Sequence, residues 1–274
     1  MRAIVAGTLL TCLAAGASVA GTASEPAVRQ AATRYAESFL QGDPSGMEAA
    51  IHPAIVRRGV VHSRKSGESF LMNANAETIL NDVGEGKIKL PEGREGLSVE
   101  VLDVSEDVAG ACVSTAMFHD YLILVRNGDA WRVAAALWTP PMKSQVSSLN
   151  SEYEQVKRTV EDMIRACLSH DTEGLTRLVH PAVSRRVVSQ AEGEGICALL
   201  DLDARAFLEA SARSSGGALS PEVTVLEVYG DIASVRVGLD DAVDYVQLVK
   251  QEGRWMALNC VAAPRGGSSL RAAR

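Results

Sequence analysis

Apolar residues recur at helical spacing in two widely separated stretches of the chain. Val28, Ala31, Ala32, Tyr35 and Phe39 fall on one face at the i, i+3/i+4, i+7 interval. Val156, Val160, Met163, Ile164 and Cys167 repeat that stripe. Ser24 is the expected N-cap of the first helix, and Ser151-Glu-Tyr-Glu154 reads as a capping box for the second. A short helix is expected after each. Asp43-Pro44 places a capping residue before a proline at the first helical position, and Asp171 holds the equivalent place. Pro53 keeps His52 out of helical angles, so the first short helix should end there. Third helices are expected at 75–83 and 204–214. The remainder alternates as strands do, at 97–104, 108–117, 121–126 and 131–137, then at 222–229, 232–239, 244–250 and 255–261. Asn127-Gly128 is a hairpin turn between two of them. Helices followed by an antiparallel meander, twice over, make an α+β protein.

The two halves are copies. IHPAIVRRGV, from Ile51, returns as VHPAVSRRVV, from Val179, with the histidines and arginines 128 residues apart. Later matches fall 124 apart: Asp120-Tyr121 with Asp244-Tyr245, and Trp131 with Trp255. One four-residue deletion in the second copy accounts for the change. Residues 24–138 are therefore expected to form one domain and 151–262 another, each long enough to fold by itself. A linker at 139–150, rich in proline and serine, joins them, and 263–274 reads as a flexible tail.

Composition narrows the partners. The formal charge of −7 over 274 residues argues against nucleic acid, which needs a basic surface. Residues 1–20 read as a signal peptide: Met1-Arg2, an apolar run from Ala3 to Ala17, then Ser18-Val19-Ala20 at the cleavage site. That run barely reaches the roughly 18 residues of a spanning helix. The expectation is an exported, periplasmic or secreted protein with no membrane attachment after cleavage. Cys112, Cys167, Cys197 and Cys260 remain, and their spacing leaves all three connectivities open. No C-x-x-C occurs, and the five histidines show neither an i, i+4 pair nor a short cluster. No metal and no cofactor is expected on these grounds.

A helix, a turn with Gly42-Asp43, Met47, then His52-Pro53-Ala54 and Arg57-Arg58, with Asp120-Tyr121-Leu122 and Trp131 beyond, is similar to the nuclear transport factor 2-like superfamily. Within it the chain resembles the putative lumazine-binding branch. Asp171, His180-Pro181, Arg185, Asp244-Tyr245 and Trp255 carry the resemblance in the second copy, where His170 replaces Gly42. It implies two tandem cone-like domains, each a curved antiparallel sheet around the first helix with a pocket at its open end. Single-domain relatives often pair as homodimers, so it also implies an internal pseudo-dimer within a monomeric chain. It does not imply a reaction, because the superfamily spans isomerases, dehydratases and transport factors.

Six residues are the candidate ligand-binding set: His52, Arg58 and Tyr121, and their counterparts His180, Arg186 and Tyr245. A histidine moves protons near neutral pH, although each here also stands where it would cap the carbonyls of a short helix. A guanidinium fork fits carboxylate or phosphate, and strand alternation lets one arginine of each pair face a pocket. The likeness to ketosteroid isomerases invites an acid–base role for the tyrosines, but those enzymes' second acidic position has no match, and no catalytic residue is assigned. Trp131 and Trp255 should fill the cores. The expected function is a binding or accessory protein holding a small molecule or a protein partner. The alternative is a cofactor-independent isomerase or dehydratase that uses a pocket histidine with a tyrosine.

Overall fold

A computed structural model describes residues 20–62, 69–87, 96–142, 149–190, 197–213 and 221–265. Each half opens with a long helix, α1 (Ala20–Gln41) and, in the second half, α4 (Leu149–Leu168). The apolar stripes are buried as expected, with Val28, Ala32, Tyr35, Val156 and Val160 wholly enclosed. The start of α1 differs from the expectation: Ser24 lies inside the helix, which runs back through Pro26 to Ala20. Short helices α2 (Pro44–Ala50) and α5 (Thr172–Leu178) follow. The Asp171 carboxylate accepts the Gly174 N–H at 2.8 Å, whereas Asp43 occupies its cap position without a side-chain bond. Asn75 and Asp203 cap α3 (Ala76–Gly84) and α6 (Ala204–Arg213) in the same way, on Thr78 and Ala206.

The first sheet holds β1 (Ile51–His62), β2 (Ser69–Ala74), β3 (Ser98–Ser105), β4 (Val108–Ser114), β5 (His119–Asn127) and β6 (Ala130–Thr139) in the order β2-β1-β6-β5-β4-β3. The second holds β7 (Val179–Gln190), β8 (Cys197–Leu202), β9 (Glu222–Tyr229), β10 (Ile232–Gly238), β11 (Ala242–Gln251) and β12 (Arg254–Pro264) in the matching order. The expected meander is therefore the distal part of a larger sheet. Its first two strands directly follow the short helix, and β1 pairs with β6 in parallel, as β7 does with β12. Pro53 sits where the β1–β6 register shifts, between Ile51 and Val56, so its missing N–H costs no ladder bond.

Each sheet buries both faces. One wraps the helices in a cone core holding Tyr35, Phe39 and Trp131, or Val156, Met163 and Trp255. The other packs against the second sheet. There Val60, Tyr121 and Leu137 meet Ile232, Val249 and Leu258, and the equivalent residues Val188, Tyr245 and Val261 meet Val108, Val125 and Ala134. Two-sided burial explains why the first seven residues of β5, from His119 to Val125, are all enclosed.

The contact between sheets is reciprocal. A bulge between β5 and β6 leaves Ala134 out of the ladder, and one between β11 and β12 leaves out Leu258. Arg186 Nη1 donates to the Ala134 carbonyl at 2.7 Å, and Arg58 Nη1 donates to the Leu258 carbonyl at 2.7 Å. Each domain thus satisfies the carbonyl that a bulge orphaned in the other. Arg58 also donates to the Asn259 amide oxygen. Asn259 in turn donates to Gln247, which donates to the Tyr121 carbonyl at 2.7 Å. Arg186→Met keeps the apolar stem but strips the Ala134 carbonyl of its donor. It is expected to lower the unfolding free energy by about 2 kcal/mol, read from urea denaturation. A variant as stable as its parent would show that this contact contributes nothing.

Candidate functional site

Alternation along β1 puts Arg57, not Arg58, inside the first cone. Its Nε donates to the Tyr35 hydroxyl at 2.9 Å, and its Nη2 lies 3.3 Å from Asp120 Oδ2. The Tyr35 hydroxyl donates to that same carboxylate oxygen at 3.0 Å. The guanidinium carbon stands 4.8 Å from the ring centroids of both Phe39 and Trp138. In the second cone Arg185 makes the equivalent pair with Asp244 at 2.7 Å and faces Phe207. Met163 replaces Tyr35 there. Burial pushes the Asp120 carboxyl and the Tyr35 hydroxyl up from their ordinary values, whereas Asp120 and Tyr35 hold the Arg57 guanidinium charged against its burial. These groups are enclosed by aromatic and aliphatic side chains and tie α1 to the sheet.

The expected pocket-facing arginines, Arg58 and Arg186, lie on the opposite face, in the contact between domains. The bulge beside Pro53 is the physical reason: it resets which β1 residues face which side. Tyr121 and Tyr245 share that interdomain face and are wholly buried. The Tyr245 hydroxyl donates to Asp103 across the interface, and among the described residues the Tyr121 hydroxyl has no hydrogen-bond partner. His52 and His180 correct the expectation of carbonyl capping. Each is the second residue of its strand, and its Nδ1 accepts a backbone N–H two residues on: Ala54 at 3.1 Å and Ala182 at 2.9 Å. The ring spans the intervening proline as a turn acceptor. His180 Nε2 also lies 3.1 Å from Gln251 Oε1, so both its nitrogens are engaged.

A cleft of about 500 Å³ opens between the domains. Arg58 lines it with Asn73 and Thr78 from the first domain and Ser184, Asp201 and Asp203 from the second. Asn73 and Asp201 are equivalent positions, as are Asn75 and Asp203, so the cleft follows the pseudo-twofold relation of the chain. Arg58 Nε donates to Asn73 Oδ1 at 3.1 Å, and the Ser184 hydroxyl donates to Asp201 at 2.7 Å. Burial, followed by the Arg186 charge, pulls the Arg58 guanidinium down to about 10, which leaves it cationic at neutral pH. Of the six candidate residues, Arg58 alone lines the cleft, and His180 is close enough to feel its charge. Sequence reasoning did not find the polar residues of β2 and β8, because neither strand carries an alternating pattern. The doubled capping signal at Asn75 and Asp203 was the available clue.

Burial, and to a lesser degree Arg58, holds the His180 imidazole below its ordinary value, against the opposing bond to Gln251. As pH falls below about 6.5 the unfolded chain takes up this proton first, so the stabilisation is complete above that value and declines beneath it. His180→Asn keeps a turn acceptor and removes the titration. It is expected to flatten the fall in urea midpoint between about pH 7 and pH 5; an unchanged slope would assign the fall to other groups.

Three solved structures similar to the chain each match somewhat less than half of it. A nuclear transport factor 2-like protein of unknown function from Silicibacter pomeroyi is 21% identical over 44% of this chain and 100% of its own, with a TM-score of 0.37. One from Methylobacillus flagellatus is 15% identical over 46% and 99%, with a TM-score of 0.38. A putative dehydratase of the same fold family from Streptomyces avermitilis is 18% identical over 42% and 96%, with a TM-score of 0.33. No curated protein matches the chain. The family described as putative lumazine-binding matches residues 23–139 and again 151–261. With both halves of one chain matched to it, this protein belongs to the putative lumazine-binding family as a tandem pair of domains.

Proposed function

We propose that the protein is an exported binding protein that holds a small polar molecule in the cleft between its two domains. The observation that carries this reading is a cleft of about 500 Å³ with a buried, cationic Arg58 in its wall and hydrogen-bonding side chains from both domains around it. The family's name supports a small-molecule ligand. The lining offers amides, hydroxyls and carboxylates but no aromatic ring, which favours a ligand held by hydrogen bonds. The cone interiors are occupied by their own arginine–aspartate pairs and aromatic rings. The proton-transfer reading has less support: His52 and His180 spend Nδ1 on backbone N–H groups.

Thr78 lines the cleft from an exposed position on α3. Native mass spectrometry of the chain purified from its own host is expected to show one bound small molecule. Thr78→Trp, which fills the cleft, is expected to lose it while keeping the parent's circular dichroism. A bare parent mass, or an adduct that survives Thr78→Trp, refutes the reading. The leader-like first twenty residues support export. The chain recovered outside the cytoplasm is expected to begin at residue 21; a full-length chain retained inside refutes export.

A further inference from the structure

The pseudo-twofold relation lets each half of the interface be compared with the other, and one pair of equivalent sites differs in charge. On one side Asp103, in β3, reaches across to the second domain. It accepts the Tyr245 hydroxyl, and Arg236 Nε lies 3.1 Å from the same oxygen. The carboxylate thus meets a guanidinium and a hydroxyl. The equivalent residues on the other side are Glu227 for Asp103, Tyr121 for Tyr245 and Cys112 for Arg236, each 124 positions away. There the cation is gone. Glu227 Oε2 and the Tyr121 hydroxyl are buried without a well-formed hydrogen bond among the described residues, and the neutral Cys112 thiol and Tyr121 hydroxyl beside Glu227 offset its burial only in part. A half-buried carboxylate without a compensating charge is pushed toward its neutral form.

What replaces the arginine is a set of side chains of the kinds that bind metals. His119 stands where the second domain has Val243. The ligand atoms of Cys112, His119 and Glu227 all lie within 4.8 Å of one another. Cys112 and His119 are 6% and 4% exposed. Cys112 Sγ is 3.5 Å from His119 Nε2, whereas a thiolate and an imidazole nitrogen on one tetrahedral zinc stand about 3.6 Å apart. His119 Nδ1 is 2.9 Å from the Ser114 hydroxyl, the orienting bond that a ligating imidazole uses on its other nitrogen. The ring is further fixed by stacking on Tyr229, with centroids 3.8 Å apart and planes at 9°.

We propose that Cys112, His119 and Glu227 form a binding site for a single Zn²⁺ ion, which supplies to Glu227 the positive charge that Arg236 supplies to Asp103. One thiolate, one imidazole and one carboxylate are a borderline-soft donor set, suited to zinc rather than to magnesium or calcium. Two ligands come from the first domain and one from the second, so the ion fastens the domains together. The ion would displace the protons that burial favours on the Cys112 thiol and the Glu227 carboxyl, whereas burial already holds His119 as the neutral imidazole that zinc binds.

The test uses the whole chain, stripped with a chelator and titrated with Zn²⁺ against a competing indicator, with Co²⁺ as an optical probe. The expected result is one equivalent of Zn²⁺ and a thiolate-to-cobalt absorption band in the near ultraviolet. His119→Val, which installs the second domain's own residue, should weaken Zn²⁺ at least tenfold, and Cys112→Ser should remove the cobalt band. Cys167→Ser should bind as the parent does. Circular dichroism checks that His119→Val is folded, and that variant decides the question if Cys112→Ser is not. A parent that binds no more Zn²⁺ than His119→Val, or a cobalt complex without the thiolate band, overturns the site.

Discussion

The two sheets pack back to back, and this contact constrains nearly every other choice in the chain. A strand with one face on a helix and the other on a second sheet has no solvent side, so polarity cannot alternate along it. Backbone groups excluded from the ladder then have no water to turn to. The bulges at Ala134 and Leu258 create such groups, and the answer in both cases is an arginine from the opposite domain. The two guanidiniums also repel one another weakly across the interface, and Asp201 offsets part of that repulsion. The second RRxx stretch of the sequence is thus the mate of the first in space as well as in alignment.

The same constraint separates binding from packing. Inside each cone an arginine and an aspartate meet among aromatic or aliphatic side chains, and the sheet closes over them. Between the cones the surfaces diverge at the β1–β2 and β7–β8 end, and polar side chains line the opening. Arg58, Arg186, Tyr121 and Tyr245, expected in the ligand-binding set, therefore lie at the junction. Tyr121 and Tyr245 pack in the interdomain clusters because their strands turn those positions to the partner sheet.

Much of the fold was legible in the residues. The helical stripes, the doubled His-Pro-Ala and the switch in offset predicted two copies of one α+β unit. Trp131 and Trp255 do occupy matching cores, at 6% and 5% exposure. What escaped was set by features that periodicity does not record. Facing cannot be counted through a bulge, so Arg58 was expected where Arg57 stands. A histidine before proline suggests carbonyl capping as readily as a turn acceptor, and only the N–H direction distinguishes them. Cys112, His119 and Glu227 are separated by 7 and 108 positions, so no local spacing could join them.

Joining the two copies on one polypeptide has a consequence of its own. In a homodimer every substitution near the axis appears twice, and a residue useful on one side must be tolerable on the other. Here each side mutates alone. Gln247 and Asn259 make a polar chain where the first domain keeps Ile123 and Ala135, and Arg236 faces one carboxylate while Cys112 faces the other. Fusion leaves the duplicate seam free to differentiate, so that equivalent positions in it carry side chains of different chemistry.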